Sequence, residues 1–205
     1  MQLLVDTLYN ITISLSAPTI VALIVLLIWT LYETGGFLRE WRNRKTAVEK
    51  WNEFLVTIHK FGNENLESLK NDFYKLESYP TLLTIFAERS KEFPNNNVYL
   101  NKLISEIEIK ANKSCHIART GVRIGPMLGL MGTLIPMGPA LKAIATGNLE
   151  AMSNNLIIAF STTVTGLTIA GLCYIIFVAR QHWYSKDMSD IEYLLETIFS
   201  AESEK

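Results

Sequence analysis

Three long stretches of the sequence contain no aspartate, glutamate, lysine or arginine: residues 7–32, 124–141 and 151–179. A helix that crosses a bilayer needs about 20 mostly apolar residues. The first and third stretches exceed this length. The second is slightly shorter, but it can continue past Lys142, because the long lysine stem lets the ammonium group reach the membrane surface. The pattern therefore predicts an all-α membrane protein with three transmembrane helices.

The composition agrees with this class and excludes several others. Hydrophobic residues make up 49% of the 205 residues and charged residues only 19%, against roughly 25% in soluble proteins. The net charge of −1 gives no reason to expect a basic face for nucleic acid. The two cysteines form no CxxC pair and no HExxH motif is present, so the residues predict neither a metal site nor a cofactor.

The ends of the apolar runs give the boundaries of the predicted segments. A cleaved signal peptide is an alternative for the N-terminal part, but it would begin with a basic region, and Asp6 is the only charge before the first apolar run. We interpret residues 1–16 as an interfacial helix and residues 17–37, 121–145 and 152–182 as the three transmembrane helices.

The basic residues predict the orientation of these spans. They cluster after the first span, before the second and after the third, whereas the charged residues between positions 124 and 179 are only Lys142 and Glu150. By the positive-inside rule, residues 38–120 and the C-terminus are expected in the cytoplasm and the N-terminus outside.

Residues 38–120 are predicted to form a helical cytoplasmic insert. Its apolar residues between Trp41 and Ile58 recur at spacings of 3, 4 and 7, which is typical of an amphipathic helix. Residues 93–97 are predicted to form a turn, and an uninterrupted helical pattern then leads into the second span. Residues 183–205 are predicted to form an acidic amphipathic helix in the cytoplasm.

The second span carries glycines and prolines in a pattern that favours tight helix packing. Gly125, Gly129 and Gly132 lie four and three residues apart, on one helix face that another helix can approach closely. Pro126 and Pro136 each remove a helical hydrogen bond. Such losses are tolerated in a membrane where the freed backbone groups face protein or a water-filled cavity. The composition is typical of a helix that packs in an oligomer around a lumen.

Hydroxyl side chains are concentrated in the third span. One interpretation is that each hydroxyl donates to a carbonyl of its own helix. The other, which we favour for the group together with Thr133 of the second span, is a polar strip along an ion path. The charge-free parts of both spans contain no carboxylate and no histidine, so a titrating group for such a path is expected from a partner. The hydroxyl residues are Ser161, Thr162, Thr163, Thr165 and Thr168.

Two segments of these spans resemble one known family. Residues 126–133 (PMLGLMGT) resemble the P-L-L-G-L-L-G-T segment of the MotA/TolQ/ExbB proton channel family. Residues 163–167 (TVTGL) resemble that family's T-x-x-G-L segment in its last membrane helix. Three spans and a large insert between the first two also agree with the family. The motif resemblance covers roughly residues 117–185.

The resemblance implies an architecture and a function. It implies a homopentamer around the two membrane helices of a partner dimer, similar to MotB, TolR or ExbD, whose single span carries an essential aspartate. The chain would be an ion channel subunit of a motor in the inner membrane, not an enzyme. It would convert ion-motive force into rotation or conformational work. The transported ion would be a proton, with sodium as the alternative, and membrane lipids would surround the complex.

The resemblance also assigns roles to particular residues. Thr133 and Thr163 would line the ion path next to the partner's aspartate. Thr162 is included in this path, because the Thr162–Thr163 pair is similar to that of sodium-driven flagellar stators. The residues expected to pack the helices and shape the pore are Gly125, Pro126, Gly129, Gly132, Pro136 and Gly166.

Two other classes of function are alternatives to the channel. A passive membrane scaffold would use the same glycines for packing without ion flux. An intramembrane enzyme would have Ser161 as its nucleophile, but neither the second nor the third charge-free stretch contains a histidine or lysine to serve as its base. The residues therefore argue against an enzyme and leave the scaffold as the alternative.

Overall fold

The structure, a computed structural model, describes residues 1–61, 66–76, 79–94 and 96–199, and every regular element in these ranges is a helix. A π-helical segment, Leu195–Phe199, follows the last α-helix. The α-helices in chain order are α1 (Gln2–Ser14), α2 (Ser16–Phe61), α3 (Leu66–Lys75), α4 (Thr81–Ser90), α5 (Asn97–Ala145) and α6 (Leu149–Leu194).

Three helical stretches are long and apolar enough to cross a membrane, which confirms the prediction of an all-helical protein with three candidate spans. The predicted spans fall within α2, α5 and α6. Helix α5 runs without interruption through its three prolines, Pro126, Pro136 and Pro139. Residue 95 of the turn predicted at 93–97 and residues 200–205 of the predicted C-terminal helix lie outside the described residues.

The chain divides into two compact units. The first, called the span unit here, comprises Met1–Gly35 and Ile117–Phe177. The second, called the insert unit, comprises Gly36–His116 and the chain from Val178 onward. Helices α2, α5 and α6 each contribute one part to each unit.

A tight turn joins α5 and α6 in the span unit. Gly147 has a φ of +70°, which glycine adopts without a Cβ clash. Its N–H donates to the Ile144 carbonyl at 3.0 Å, and the Asn148 N–H donates to the Ala143 carbonyl at 2.9 Å, so the last carbonyls of α5 are satisfied. The Asn148 side-chain oxygen accepts from the Ala151 N–H at 2.9 Å and caps the start of α6. The turn therefore makes α5 and α6 antiparallel neighbours.

The core of the insert unit is aromatic. Trp51, Phe73, Phe86 and Phe199 are each at most 1% exposed. The ring centroids of Phe73 and Phe199 are 6.3 Å apart at nearly a right angle, an arrangement that aromatic pairs prefer. Trp41, the first residue of the amphipathic pattern, is 47% exposed, whereas Trp51 on the same helix is covered.

Ion pairs connect α2 and α6 inside the insert unit. The side chains of Arg44 and Asp187 are 6% and 1% exposed, and Arg44 Nη1 donates to Asp187 Oδ2 at 3.0 Å. The N–H of Leu82, near the start of α4, donates to the same carboxylate at 3.3 Å. A second pair joins Arg180 Nε to Glu40 Oε2 at 3.1 Å. Because the buried Asp187 carboxylate has several donors, its desolvation cost is offset.

Candidate functional site

The predicted packing glycines of α5 lie against α6 at backbone contact. A Cβ added to Gly166 would lie 2.6 Å from the Gly125 carbonyl oxygen, and a Cβ added to Gly125 would lie 2.8 Å from the Gly166 carbonyl oxygen. Real Cβ atoms essentially never approach an atom that closely. Only glycine at both positions permits this separation of the two helices, which is the geometry that small residues give to helix pairs in membranes.

The same contact continues along α5 toward the hydroxyl residues of α6. A Cβ on Gly129 would lie 3.3 Å from the Thr162 carbonyl oxygen and 3.5 Å from Thr163 Cα. A Cβ on Gly132 would lie only 2.5 Å from Thr162 Cβ. The row formed by Gly125, Gly129 and Gly132 on α5, with Thr162 and Gly166 on α6, is called the glycine seam below.

The three predicted ion-path threonines occupy different environments at this seam. Thr162 is 7% exposed and packs against Gly132 inside the chain. Thr163, the next residue, is partly exposed, and so is Thr133, which follows Gly132 on α5. The structure thus brings Thr162 and Thr163 beside the α5 glycines. Of the three threonines, it leaves only Thr133 and Thr163 with accessible surface at the edge of the seam.

The hydroxyls of these threonines donate to carbonyls of their own helices. Thr133 Oγ1 donates to the Leu130 carbonyl at 2.7 Å. Thr163 Oγ1 donates to the Ala159 carbonyl at 3.1 Å. Ser161, Thr162, Thr165 and Thr168 make the same kind of local bond. Because each hydroxyl has one proton and two lone pairs, donation to the backbone leaves the oxygen free to accept from a proton carrier or to contact a cation.

The prolines of α5 add carbonyl oxygens to this region. A proline has no N–H, so the carbonyl four residues earlier in the helix loses its usual donor. Pro136 leaves the Gly132 carbonyl without that donor, and Pro139 does the same for the Ile135 carbonyl. Carbonyl oxygens are groups that coordinate partly dehydrated cations in membrane channels. Gly132 and Ile135 are within two residues of Thr133 on α5, so their carbonyls lie at nearly the same depth in the span unit as Thr133.

Acidic and basic side chains are absent from the seam. Residues 124–141 and 151–179 contain no aspartate, glutamate, lysine, arginine or histidine. Within the part of the chain that the structure describes, no group of three or more His, Cys, Asp or Glu residues is placed to hold a metal ion. The arrangement can offer hydroxyl and carbonyl oxygens to an ion, but it cannot bind and release a proton through a side chain of its own.

The sequence interpretation missed one contact of the first span. Thr30 is fully buried, donates to the Leu26 carbonyl at 2.8 Å, and lies 3.7 Å from the Cys173 sulfur. A Cβ on Gly121 would lie 2.4 Å from the same sulfur. Thr30 is the one hydroxyl residue between Ile20 and Leu31, the most apolar part of the first span, and this was the signal in the sequence. The three spans therefore meet around Cys173 in the span unit.

Comparison with known proteins identifies one family. Residues 83–193, more than half of the chain, match the family model described as the MotA/TolQ/ExbB proton channel family. No curated protein and no solved structure matches the chain. The matched region contains the whole glycine seam, and the match confirms the resemblance found in the two motifs.

Proposed function

The chain belongs to the MotA/TolQ/ExbB proton channel family, and on this premise we propose that it is the channel-forming subunit of an ion-driven membrane motor. In this proposal it converts ion-motive force into rotation or conformational work together with a single-span partner. The observation that carries the proposal is the glycine seam, which holds α5 and α6 at backbone contact beside the partly exposed residues Thr133 and Thr163.

We propose that Thr133 and Thr163 line the ion path. Both are partly exposed in the chain, and both hydroxyls donate to their own helix, so their lone pairs remain available to a passing ion. Thr162 packs against Gly132 inside the chain. Its proposed contribution is therefore to set the position of Thr163. Direct contact between Thr162 and the ion stays a prediction.

The proton-binding group of the path is proposed to be an aspartate in the single span of the partner. The charge-free parts of α5 and α6 supply oxygens but no titrating side chain. Proton relays in membranes depend on Asp, Glu or His. Each elementary charge that crosses 100 mV releases about 2.3 kcal/mol, so a few ions supply enough free energy for a conformational step.

The proposed assembly is five copies of this chain around two copies of the partner, in the inner membrane with the N-terminus outside. Large apolar side chains of α5 and α6 are exposed in the single chain, including Leu130 and Leu134 on α5 and Phe160 and Val164 on α6. Such surfaces need lipid or neighbouring subunits around them. Native mass spectrometry of the gently extracted complex measures the stoichiometry, and a persistent monomer or dimer without a partner would contradict it.

Ion flux through single-threonine variants tests the proposed path. The complex is reconstituted in liposomes, and uptake is driven by a membrane potential with either a proton or a sodium gradient. Thr163→Val keeps the shape of the side chain but removes the hydroxyl oxygen. We expect it to reduce partner-dependent flux by about 100-fold, which is the lower limit for losing a positioned group in proton transfer.

Thr34→Val is the matched control. Thr34 lies in the first predicted span, outside the proposed path, is partly exposed like Thr163, and its hydroxyl donates to the Thr30 carbonyl at 2.7 Å, as Thr163 does to Ala159. We expect this control to retain wild-type flux. Equal flux in the two variants would remove Thr163 from the path. A correctly assembled wild-type complex without flux of either ion would favour the passive scaffold.

A further inference from the structure

The insert unit contains a cleft of about 540 Å³ between α2 and α6. Its lining combines basic side chains with two tryptophans: Trp41, Arg44 and Lys45 from α2, and His182, Trp183 and Lys186 from α6. None of these residues takes part in the proposed ion path.

The cleft follows the predicted ends of two membrane spans. The first span is predicted to end at residue 37 and the third at residue 182, so Trp41 and Trp183 lie about 6 Å and 1.5 Å further along their helices. The polar headgroup layer extends roughly 5–8 Å beyond the hydrocarbon core. Side chains in a helix tilt toward its N-terminus, which here is the direction of the span. Lys45 and Lys186 therefore extend back toward the headgroup layer.

Arg44 and Trp183 form a fixed floor in the cleft. Arg44 is ion-paired with Asp187 and also donates from Nη2 to the Trp183 carbonyl at 3.2 Å. Its guanidinium carbon lies 5.2 Å from the centre of the Trp183 ring, within the range of a cation–π contact. Phe37 stacks on the same Trp183 side chain, with a ring-centroid separation of 5.4 Å. The charge of Arg44 is thus matched by Asp187, and the indole is held in place.

The remaining charges of the cleft leave an excess of positive charge. Lys45 and Lys186 are exposed, and Lys186 also attracts the Asp190 carboxylate, which lies outside the lining. Glu49 is the one acidic residue of the lining. Two lysines against one carboxylate give a net charge of about +1, apart from His182, and this complements the single negative charge of a phosphate diester.

We propose that the cleft binds the headgroup of an anionic phospholipid. Lys45 and Lys186 contact the phosphate, and the indoles of Trp41 and Trp183 lie at the level of the glycerol, where tryptophan is enriched in membrane proteins. Trp41, which lines the cleft, is 47% exposed, so an apolar ring is available to an acyl chain beside the lysines. The site depends on the chain spanning a membrane, but not on ion flux.

Lipid titration of the intact complex tests this site. The complex is extracted in mild detergent and titrated with phosphatidylglycerol or with phosphatidylcholine of the same acyl chains, and bound lipid is counted by native mass spectrometry. We expect tight binding of about one phosphatidylglycerol per copy of the chain. Each basic residue near an anionic surface contributes about fivefold to affinity, so Lys45→Gln with Lys186→Gln should weaken phosphatidylglycerol binding roughly 30-fold.

Matched variants distinguish a specific lipid site from nonspecific attraction between lysines and an anionic lipid. Lys75→Gln with Lys110→Gln removes the same charge at exposed positions outside the cleft and should change affinity less than twofold. Lys45→Arg with Lys186→Arg keeps the charge and should keep binding. Equal losses in the cleft and control pairs, or equal affinity for phosphatidylcholine, would overturn the proposal. Displacement of the lipid by millimolar inorganic phosphate would show a free-anion site and would also overturn it.

Discussion

Replacing Gly166 by alanine perturbs the glycine seam at its closest point. The new Cβ would lie 2.6 Å from the Gly125 carbonyl oxygen and 2.9 Å from Gly129 Cα, where ordinary contacts begin near 3.4 Å. Both obstacles are backbone atoms, which cannot move away by a rotamer change, so α5 and α6 must separate. Overpacking of this kind costs about 1–3 kcal/mol. We expect Gly166→Ala to destabilise the protein by that amount.

Gly171 provides a control on the same helix. A Cβ at Gly171 would meet no atom within 4 Å, so Gly171→Ala creates no clash within the chain. Alanine is also the better helix former by roughly 0.5–1 kcal/mol. The assay is reversible unfolding of the detergent-solubilised protein, with both variants compared to the wild type. Gly171→Ala should be neutral or slightly stabilising. If Gly166→Ala were equally neutral, the close approach of α5 and α6 would be refuted.

Two further predictions concern the carboxylates of the insert unit. Asp187→Asn should lower the free energy of unfolding by about 3–5 kcal/mol, because the buried Arg44 loses its counter-charge; an unchanged midpoint in urea unfolding followed by tryptophan fluorescence would contradict this. Burial raises the pKa of Asp190, although the Trp51 indole N–H donates to it at 2.7 Å and lowers the pKa in part. The native state therefore binds a proton more readily than the unfolded state, so the wild type should gain stability relative to Asp190→Asn as the pH falls from 7 through that raised pKa; identical pH profiles of the two proteins would contradict it.

The helices and spans were predictable from the sequence because the absence of charge indicates which segments lie in lipid, and the spacing of apolar residues indicates a helix with a buried face. A charge-free run of span length has few alternatives to a membrane helix, and the structure contains the three expected candidates. Helical spacing also indicated an amphipathic helix between Trp41 and Ile58, and Trp51 on this helix is buried. It could not separate Trp51 from Trp41, since both lie on an apolar face and only the neighbouring helices decide which is covered.

Partners distant in sequence could not be predicted. Arg44 and Asp187 are 143 residues apart, and no local pattern indicates that they pair. The difference between Thr162 and Thr163 has the same origin. Both are threonines in one hydroxyl-rich run, and the position of Gly132 on another helix determines that Thr162 is buried while Thr163 stays partly exposed. The family motif predicted where these residues lie along the sequence, but only the fold determines which of them is buried.

The most direct test of the proposed channel is ion flux through the complex of this chain with its partner, reconstituted in liposomes under an applied membrane potential. Flux is measured for the complex with the wild-type partner and for the complex in which the partner's intramembrane aspartate is replaced by asparagine. Because the charge-free parts of α5 and α6 contain no titrating side chain, we predict flux in the first case and a fall to the level of protein-free liposomes in the second. Flux that persists unchanged with the asparagine variant would contradict the proposal that this chain provides the path and the partner provides the proton-binding group.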